Sequence, residues 1–144
     1  MKASPATINF YFQQQCRLTN RRQLKDFIIA VFKRYRTRFS ALSIIFCSDD
    51  YLLDINRQYL DHDSYTDIIT FNLAEPGEPV NGEIYISVDR VRENARVAGV
   101  SFAQELHRVM FHGVLHLCGL NDSTTTQKRS MTRAENRLLT QYFG

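Results

Sequence analysis

Hydrophobic and polar positions repeat along the chain with two periods, and each stretch of regular repeat predicts an element. Ile8, Phe10 and Phe12 alternate with Asn9 and Tyr11, the period-2 pattern of a strand. Leu24, Phe27, Ile28, Val31, Phe32 and Tyr35 then fall at i, i+3, i+4 spacing, the stripe of an amphipathic helix that Thr19 or Asn20 would cap. Leu42 to Cys47 is a short, β-rich apolar run and reads as a buried strand. Asp49 or Asp50 opens a helix running to about Leu60, His62 to Tyr65 is loop, and Asp67 to Asn72 is a third strand. The breakers of Glu75 to Gly82 precede a fourth strand at Glu83 to Val88. Val88, Val91, Ala95 and Ala98 stripe a helix closed by Gly99, and Ser101 with Gln104 forms a capping box for the next. Met131, Ala134 and Leu138 organise a last helix. The expected fold class is α+β, a two-layer domain with a mixed sheet of about four strands packed against about five helices. No linker, repeat or low-complexity tract interrupts it, so residues 1–144 read as a single domain.

The helix after Ser101 carries the chemistry. Val109, Met110, Phe111, Val114, Leu115, Leu117 and Cys118 make it apolar almost all round, the mark of a buried helix. His112 and His116 interrupt that surface four residues apart. On a helix this spacing puts both imidazoles on one face, close enough to converge on one metal ion. Gly119 reads as the C′ glycine that stops the helix and lets the chain reverse. Asp122 follows that turn, where a third ligand would stand, and two imidazoles with one carboxylate leave a coordination position open, the catalytic pattern for zinc. Asp122 has a competing role, because an aspartate there would also cap the last helix ahead of Ser123 and Thr124. Cys118 lies about 200° round the helix from His116 and faces away. His62 and His107 have no ligand spacing to the pair. The HExxH zinc peptidases need a glutamate directly after the first histidine as general base. Gly113 stands there instead, and glycine allows close approach of substrate or of a neighbouring element.

The stretch HGVLHLCGLND, with INRQYLDHDSYTDIITFNL (Ile55 to Leu73) and GEIYIS (Gly82 to Ser87) upstream, closely resembles the signatures of the YbeY family. These are metal-dependent endoribonucleases of bacterial ribosomal RNA maturation. The resemblance spans most of the chain and implies a mixed sheet of about four strands covered by helices. It also implies one catalytic Zn2+ per chain and cleavage of single-stranded ribosomal RNA, at the 3′ end of 16S rRNA in the small subunit and in ribosome quality control. Two positions depart from the family. Asp122 stands where its third histidine usually is, a mild change because carboxylate is a normal zinc ligand. Leu60 stands where an arginine usually follows the tyrosine of the upstream signature. Arg57, three residues earlier on a similar helical face, is the candidate to replace that guanidinium at the scissile phosphate, against the alternative of a solvated surface arginine. Arg108 is a further candidate, or else a partner of Glu105. Thr66 and Asp67 match the family's Thr-Asp pair, either contacting RNA or fixing the turn into a strand.

Composition adds bounds. With 44% hydrophobic residues, ten Phe and seven Tyr, the 144-residue chain has the material for one core. No apolar run is long enough for a membrane span, and MKASPATINF lacks the apolar segment of a secretory signal. Cys16, Cys47 and Cys118 are odd in number, widely spaced and set among apolar residues, which predicts reduced thiols and a cytoplasmic protein. Net charge is only +3, but eight of nine charges between Arg17 and Arg38 are basic, and ten of eleven between Asp49 and Asp89 are acidic. The basic run suits phosphate backbones, against the alternative of an ordinary solvated helix face. A ribosome-assembly factor with a structural metal is the leading competitor to the nuclease reading, and the missing arginine favours it. A zinc peptidase or other hydrolase comes third, with Gly113 against it.

Overall fold

A computed structural model of the chain describes residues 5–144. Met1 to Ser4, part of the segment read against a secretory signal, lie outside the described residues. The elements are β1 (Thr7–Phe12), α1 (Arg21–Arg34), β2 (Phe39–Cys47), α2 (Asp49–Leu60), β3 (Ile68–Asn72), β4 (Val80–Ser87), α3 (Val88–Ala98), α4 (Phe102–Leu117) and α5 (Thr125–Phe143). The fold is α+β, with the four strands in one mixed sheet in the order β1-β2-β4-β3. β1 and β4 run parallel to β2, and β3 closes the edge antiparallel to β4.

Alternation decides which helix covers which face. Leu42, Ile44 and Phe46 of β2 and Ile84 and Ile86 of β4 join one large core with Leu24, Ile28 and Phe32 of α1, Val88 and Val91 of α3, most of α4 and Met131 to Leu139 of α5. The intervening positions Cys47 and Ile69, with Phe71 and Tyr85, form a smaller cluster on the opposite face with Leu52 and Ile55, so α2 alone packs there. Helix α4 runs through the main core and is the element the sheet is built around.

Most boundaries match the periodic reading, and the departures have physical causes. β4 begins at Val80, inside the stretch of breakers. It is an interior strand, and Val80 pairs with Phe39 of β2 while its N–H donates to Arg38 O, so sheet pairing outweighs local turn preference. Helix α2 is capped one residue early, by Ser48 Oγ accepting from Tyr51 N–H. That leaves the Asp49 carboxylate to take Ser87 Oγ and the Arg90 guanidinium. Asn20 occupies the N-cap position of α1 in a left-handed conformation, without a side-chain cap. Ser101 accepts from Gln104 N–H, half of the expected box. The full capping box belongs to α5, where Thr124 Oγ1 accepts from Gln127 N–H and Gln127 Oε1 accepts from Thr124 N–H.

Two glycines let α4 lie against the sheet. A Cβ on Gly113 would meet Ile84 Cδ1 at 2.8 Å and Ile68 Cδ1 at 3.0 Å, and one on Gly82 would meet Leu117 Cδ1 at 2.7 Å. Gly113 therefore serves the approach of a neighbouring element, the sheet. Gly113→Glu, which would write the peptidase pattern into the helix, forces a carboxylate against two isoleucines. It should destabilise the protein by more than about 3 kcal/mol in urea unfolding, in the range set by uncompensated buried charge. A wild-type unfolding midpoint would contradict this packing.

Candidate metal centre

Local structure delivers three side chains to one point. α4 places His112 and His116 on its face toward β3, with ring centroids 4.5 Å apart. The helix then ends as the glycine predicts. Gly119 has φ +99°, its N–H donates to His116 O, and Leu120 N–H donates to Leu115 O, the paired bonds of a Schellman motif. This reversal returns the chain beneath the histidines. Thr124 caps α5, so Asp122 has no capping duty and its carboxylate points back at them.

The three donor atoms form a triangle. His112 Nε2 and His116 Nε2 are 3.0 Å apart, and Asp122 Oδ2 lies 3.4 Å from each. Zinc with N and O ligands at 2.0–2.1 Å in tetrahedral geometry requires ligand atoms roughly 3.3–3.4 Å apart, so the triangle fits three corners of that tetrahedron. The donor chemistry agrees. His112 Nδ1 lies 2.5 Å from Glu135 Oε2, and with the proton on Nδ1 its Nε2 presents a lone pair. That lone pair, a second imidazole and a carboxylate oxygen converge on one point, which calls for a cation between them. The fourth corner opens onto the cleft described below.

Glu135 was not singled out by motif or spacing. It sits on α5 between Met131, Ala134 and Leu138, the apolar stripe, and is itself buried. An acid on a core-facing stripe was the available signal. Its other oxygen takes Arg108 Nη1 at 3.2 Å, and Arg108 lies 3.8 Å from Glu105. Arg108 is therefore an arm that fixes Glu105 and Glu135 behind the centre. Burial lowers the His112 pKa, but the Glu135 hydrogen bond and the charges of Glu135, Asp122 and Asp67 outweigh it, leaving a net rise. A metal binding at Nε2 competes with the Nε2 proton of the imidazolium, while Nδ1–H stays on Glu135. Burial raises the Asp67 carboxyl, which faces the same group.

The centre lies in a cleft of about 780 Å³ lined by the triad, by Leu60 and His62, by Tyr65 and Asp67, and by β3. Leu60 thus stands in the cleft wall, while Arg57 is not among its lining. The Arg57 guanidinium bonds Asp63 at 2.5 Å on the exposed side of the loop after α2. The same loop is held by Asn56 Nδ2 donating to Ser64 O at 2.7 Å. Thr66 Oγ1 donates to Ile68 O and Asp67 O accepts from Ser87 N–H, so both fix the turn into β3. His62 lines the cleft but lies outside the triad. His107 is buried with Tyr142 and Phe143, its Nδ1 donating to Ala103 O. Cys118 packs against the main core, where burial pushes its thiol up to about 11 despite a bond from Thr37. The basic run of α1 is remote: Arg21 stacks over Phe12 of β1, three strand spacings or about 14 Å across the sheet from β3. No helix among the described residues is long and apolar enough to cross a membrane.

Sequence comparison decides the family. The model for endoribonuclease YbeY matches residues 9–143. The chain belongs to the YbeY family. It is 44% identical over 119 residues to the endoribonuclease YbeY of Bacteroides thetaiotaomicron, covering 83% of this chain and 86% of that one. It is 44% identical over 135 residues to that of Porphyromonas gingivalis, covering 93% and 89%. A Thermotoga maritima protein with a known solution structure superposes with a TM-score of 0.62 at 26% identity, covering 96% of this chain and 90% of that one.

Histidine is as good a zinc ligand as carboxylate, so Asp122→His should retain bound metal, whereas Asp122→Ala should lose affinity. Glu135→Ala removes the acceptor that orients His112 and should weaken zinc binding by roughly 10–100-fold. A competition titration against a chromophoric chelator reads both, and unchanged affinity in Glu135→Ala would remove its orienting role.

Proposed function

We propose that the chain is a zinc-dependent endoribonuclease acting on single-stranded stretches of ribosomal RNA. In this reading it matures the 3′ end of 16S rRNA and takes part in late ribosome quality control, in the cytoplasm and on the small subunit. The observation that carries the reading is the donor triangle of His112, His116 and Asp122, with its open corner facing the cleft, in a chain of the YbeY family.

When bound, zinc supplies Lewis acidity to a phosphodiester oxygen and makes water at the open position more acidic. The protein's own residues do the rest. His112 and His116 hold the ion from one rigid helix face, so its position relative to the cleft is fixed. Glu135 keeps His112 in the orientation and tautomer that presents Nε2, and Arg108 keeps Glu135 in place. Asp122 contributes a negative oxygen from the turn. The cleft is open along β3, which suits a flexible single strand whose backbone can be laid beside the centre.

One observation favours the assembly-factor reading. No lysine or arginine lines the cleft among the described residues, and Leu60 stands where the family usually supplies a guanidinium. A binding factor would hold RNA in a salt-sensitive way without cutting it. Arg57 remains our candidate for the phosphate, provided its bond to Asp63 opens when RNA is bound. Arg57→Ala should then lower turnover more than binding.

The two readings separate on a flexible single-stranded RNA. The nuclease should cut it, a chelator should abolish the cut, zinc should restore it, and His112→Ala/His116→Ala should be inactive. Binding without cleavage by zinc-loaded protein would favour the assembly factor. Equal cleavage by the double variant would point to a contaminant and remove the enzyme reading.

A further inference from the structure

No lysine or arginine lines the cleft among the described residues, yet one of its walls is a strand edge. β3 is the last strand of the sheet and pairs only with β4. Its register settles where its main-chain groups point. Leu73 N–H donates to Asn81 O and Ser87 N–H donates to Asp67 O, so the odd-numbered residues from Asp67 to Leu73 face β4. Ile68, Thr70 and Asn72 therefore turn their N–H and C=O groups to the open side. Ile68 O receives Thr66 Oγ1, and no other strand among the described residues pairs with this edge. All three residues line the cleft that holds His112, His116 and Asp122.

Resting on the nuclease reading above, we propose that the free edge of β3 is the substrate track, binding single-stranded RNA through main-chain groups of Thr70 and Asn72. Outward N–H groups two residues apart are separated by about 6.8 Å, a step comparable with that between consecutive phosphates of an extended strand. Those N–H groups donate to phosphate oxygens, a charge-assisted bond that needs no cationic side chain. The outward carbonyls of the same residues accept from ribose 2′-hydroxyls, which a DNA strand lacks. The edge thereby supplies both register beside the metal and preference for RNA. An extended peptide is the other ligand that strand edges take. RNA is favoured because the edge opens into the metal cleft of a chain in a ribonuclease family.

Proline offers a selective test. At Thr70 the N–H points away from the ladder, so Thr70→Pro deletes the proposed donor without removing a sheet bond, as edge strands allow. Thr70→Val keeps the N–H and removes only the hydroxyl. Both variants are first checked for wild-type melting temperature and zinc content. If Thr70→Pro melts early, an amide-to-ester replacement at Thr70 made by semisynthesis takes its place. Binding of a short labelled single-stranded RNA is then followed by fluorescence anisotropy over a salt series.

Thr70→Pro should bind roughly tenfold or more weakly than Thr70→Val, the worth of one charge-assisted hydrogen bond. The loss should be equal at every salt concentration, because no ion pair is removed. The all-deoxy strand should bind wild-type protein more weakly than RNA. Equal RNA binding by the two variants would overturn the edge assignment while leaving metal-dependent cleavage by wild-type protein untouched. An unstructured peptide that binds wild type but not Thr70→Pro, with RNA binding unaltered, would assign the edge to peptide and also overturn it. Failure of wild-type protein to bind or cut RNA would remove the nuclease reading and this inference together.

Discussion

The seating of α4 on the sheet is the constraint on which the rest depends. Gly113 lies against Ile84 and Ile68, and Leu117 fills the space that Gly82 leaves open. A Cβ at either glycine would force the facing isoleucine or leucine side chains to shift. His112 stands next to Gly113 on this helix, and both imidazoles share one cleft with residues of β3. The same contact buries Val109, Met110 and Phe111 against α1 and α5, so the position of the imidazoles is fixed by the whole core. A buried helix bearing two polar rings would be costly if nothing answered them. Glu135 answers His112 Nδ1, and the convergent triangle presents the Nε2 atoms of both rings to a cation.

The helices and the convergence of His112, His116 and Asp122 were legible in the sequence because their signals are local. A stripe at i, i+3, i+4 implies a buried face wherever the helix ends up, and the i, i+4 histidines share a side whatever they face. Gly119 needed only its own positive φ to predict the reversal that brings Asp122 back. What escaped was non-local. Val80 enters a strand because Arg38 and the neighbouring strands are there to bond it, which no window around Glu75 to Gly82 reveals. Glu135 is the one acid of α5, but what it faces is set only when α5 docks against α4 and turns it toward His112. The cap of α5 was an ambiguity among Asp122, Ser123 and Thr124. It resolves through Gln127, which closes a reciprocal pair with Thr124 and so releases Asp122.

Charge along the chain was a poorer guide than pattern. The basic run of α1 lies over β1, at the sheet edge opposite the His112, His116 and Asp122 cluster, and two of its members, Arg21 and Lys25, sit on the rings of Phe12 and Phe10. Arg57 is tied to Asp63, and Arg108 is turned inward to Glu105 and Glu135. Among the described residues the cleft is lined by the candidate metal triad, several hydroxyls and the edge of β3.

The central claim is that two imidazoles and one carboxylate form an open zinc shell. X-ray absorption spectroscopy of protein loaded with one equivalent of zinc tests it most directly. The account predicts two imidazole nitrogens at about 2.0–2.1 Å, with the remaining scatterers oxygen at about 2.0–2.2 Å. A sulfur shell at about 2.3 Å, or a shell with a single imidazole, would contradict it.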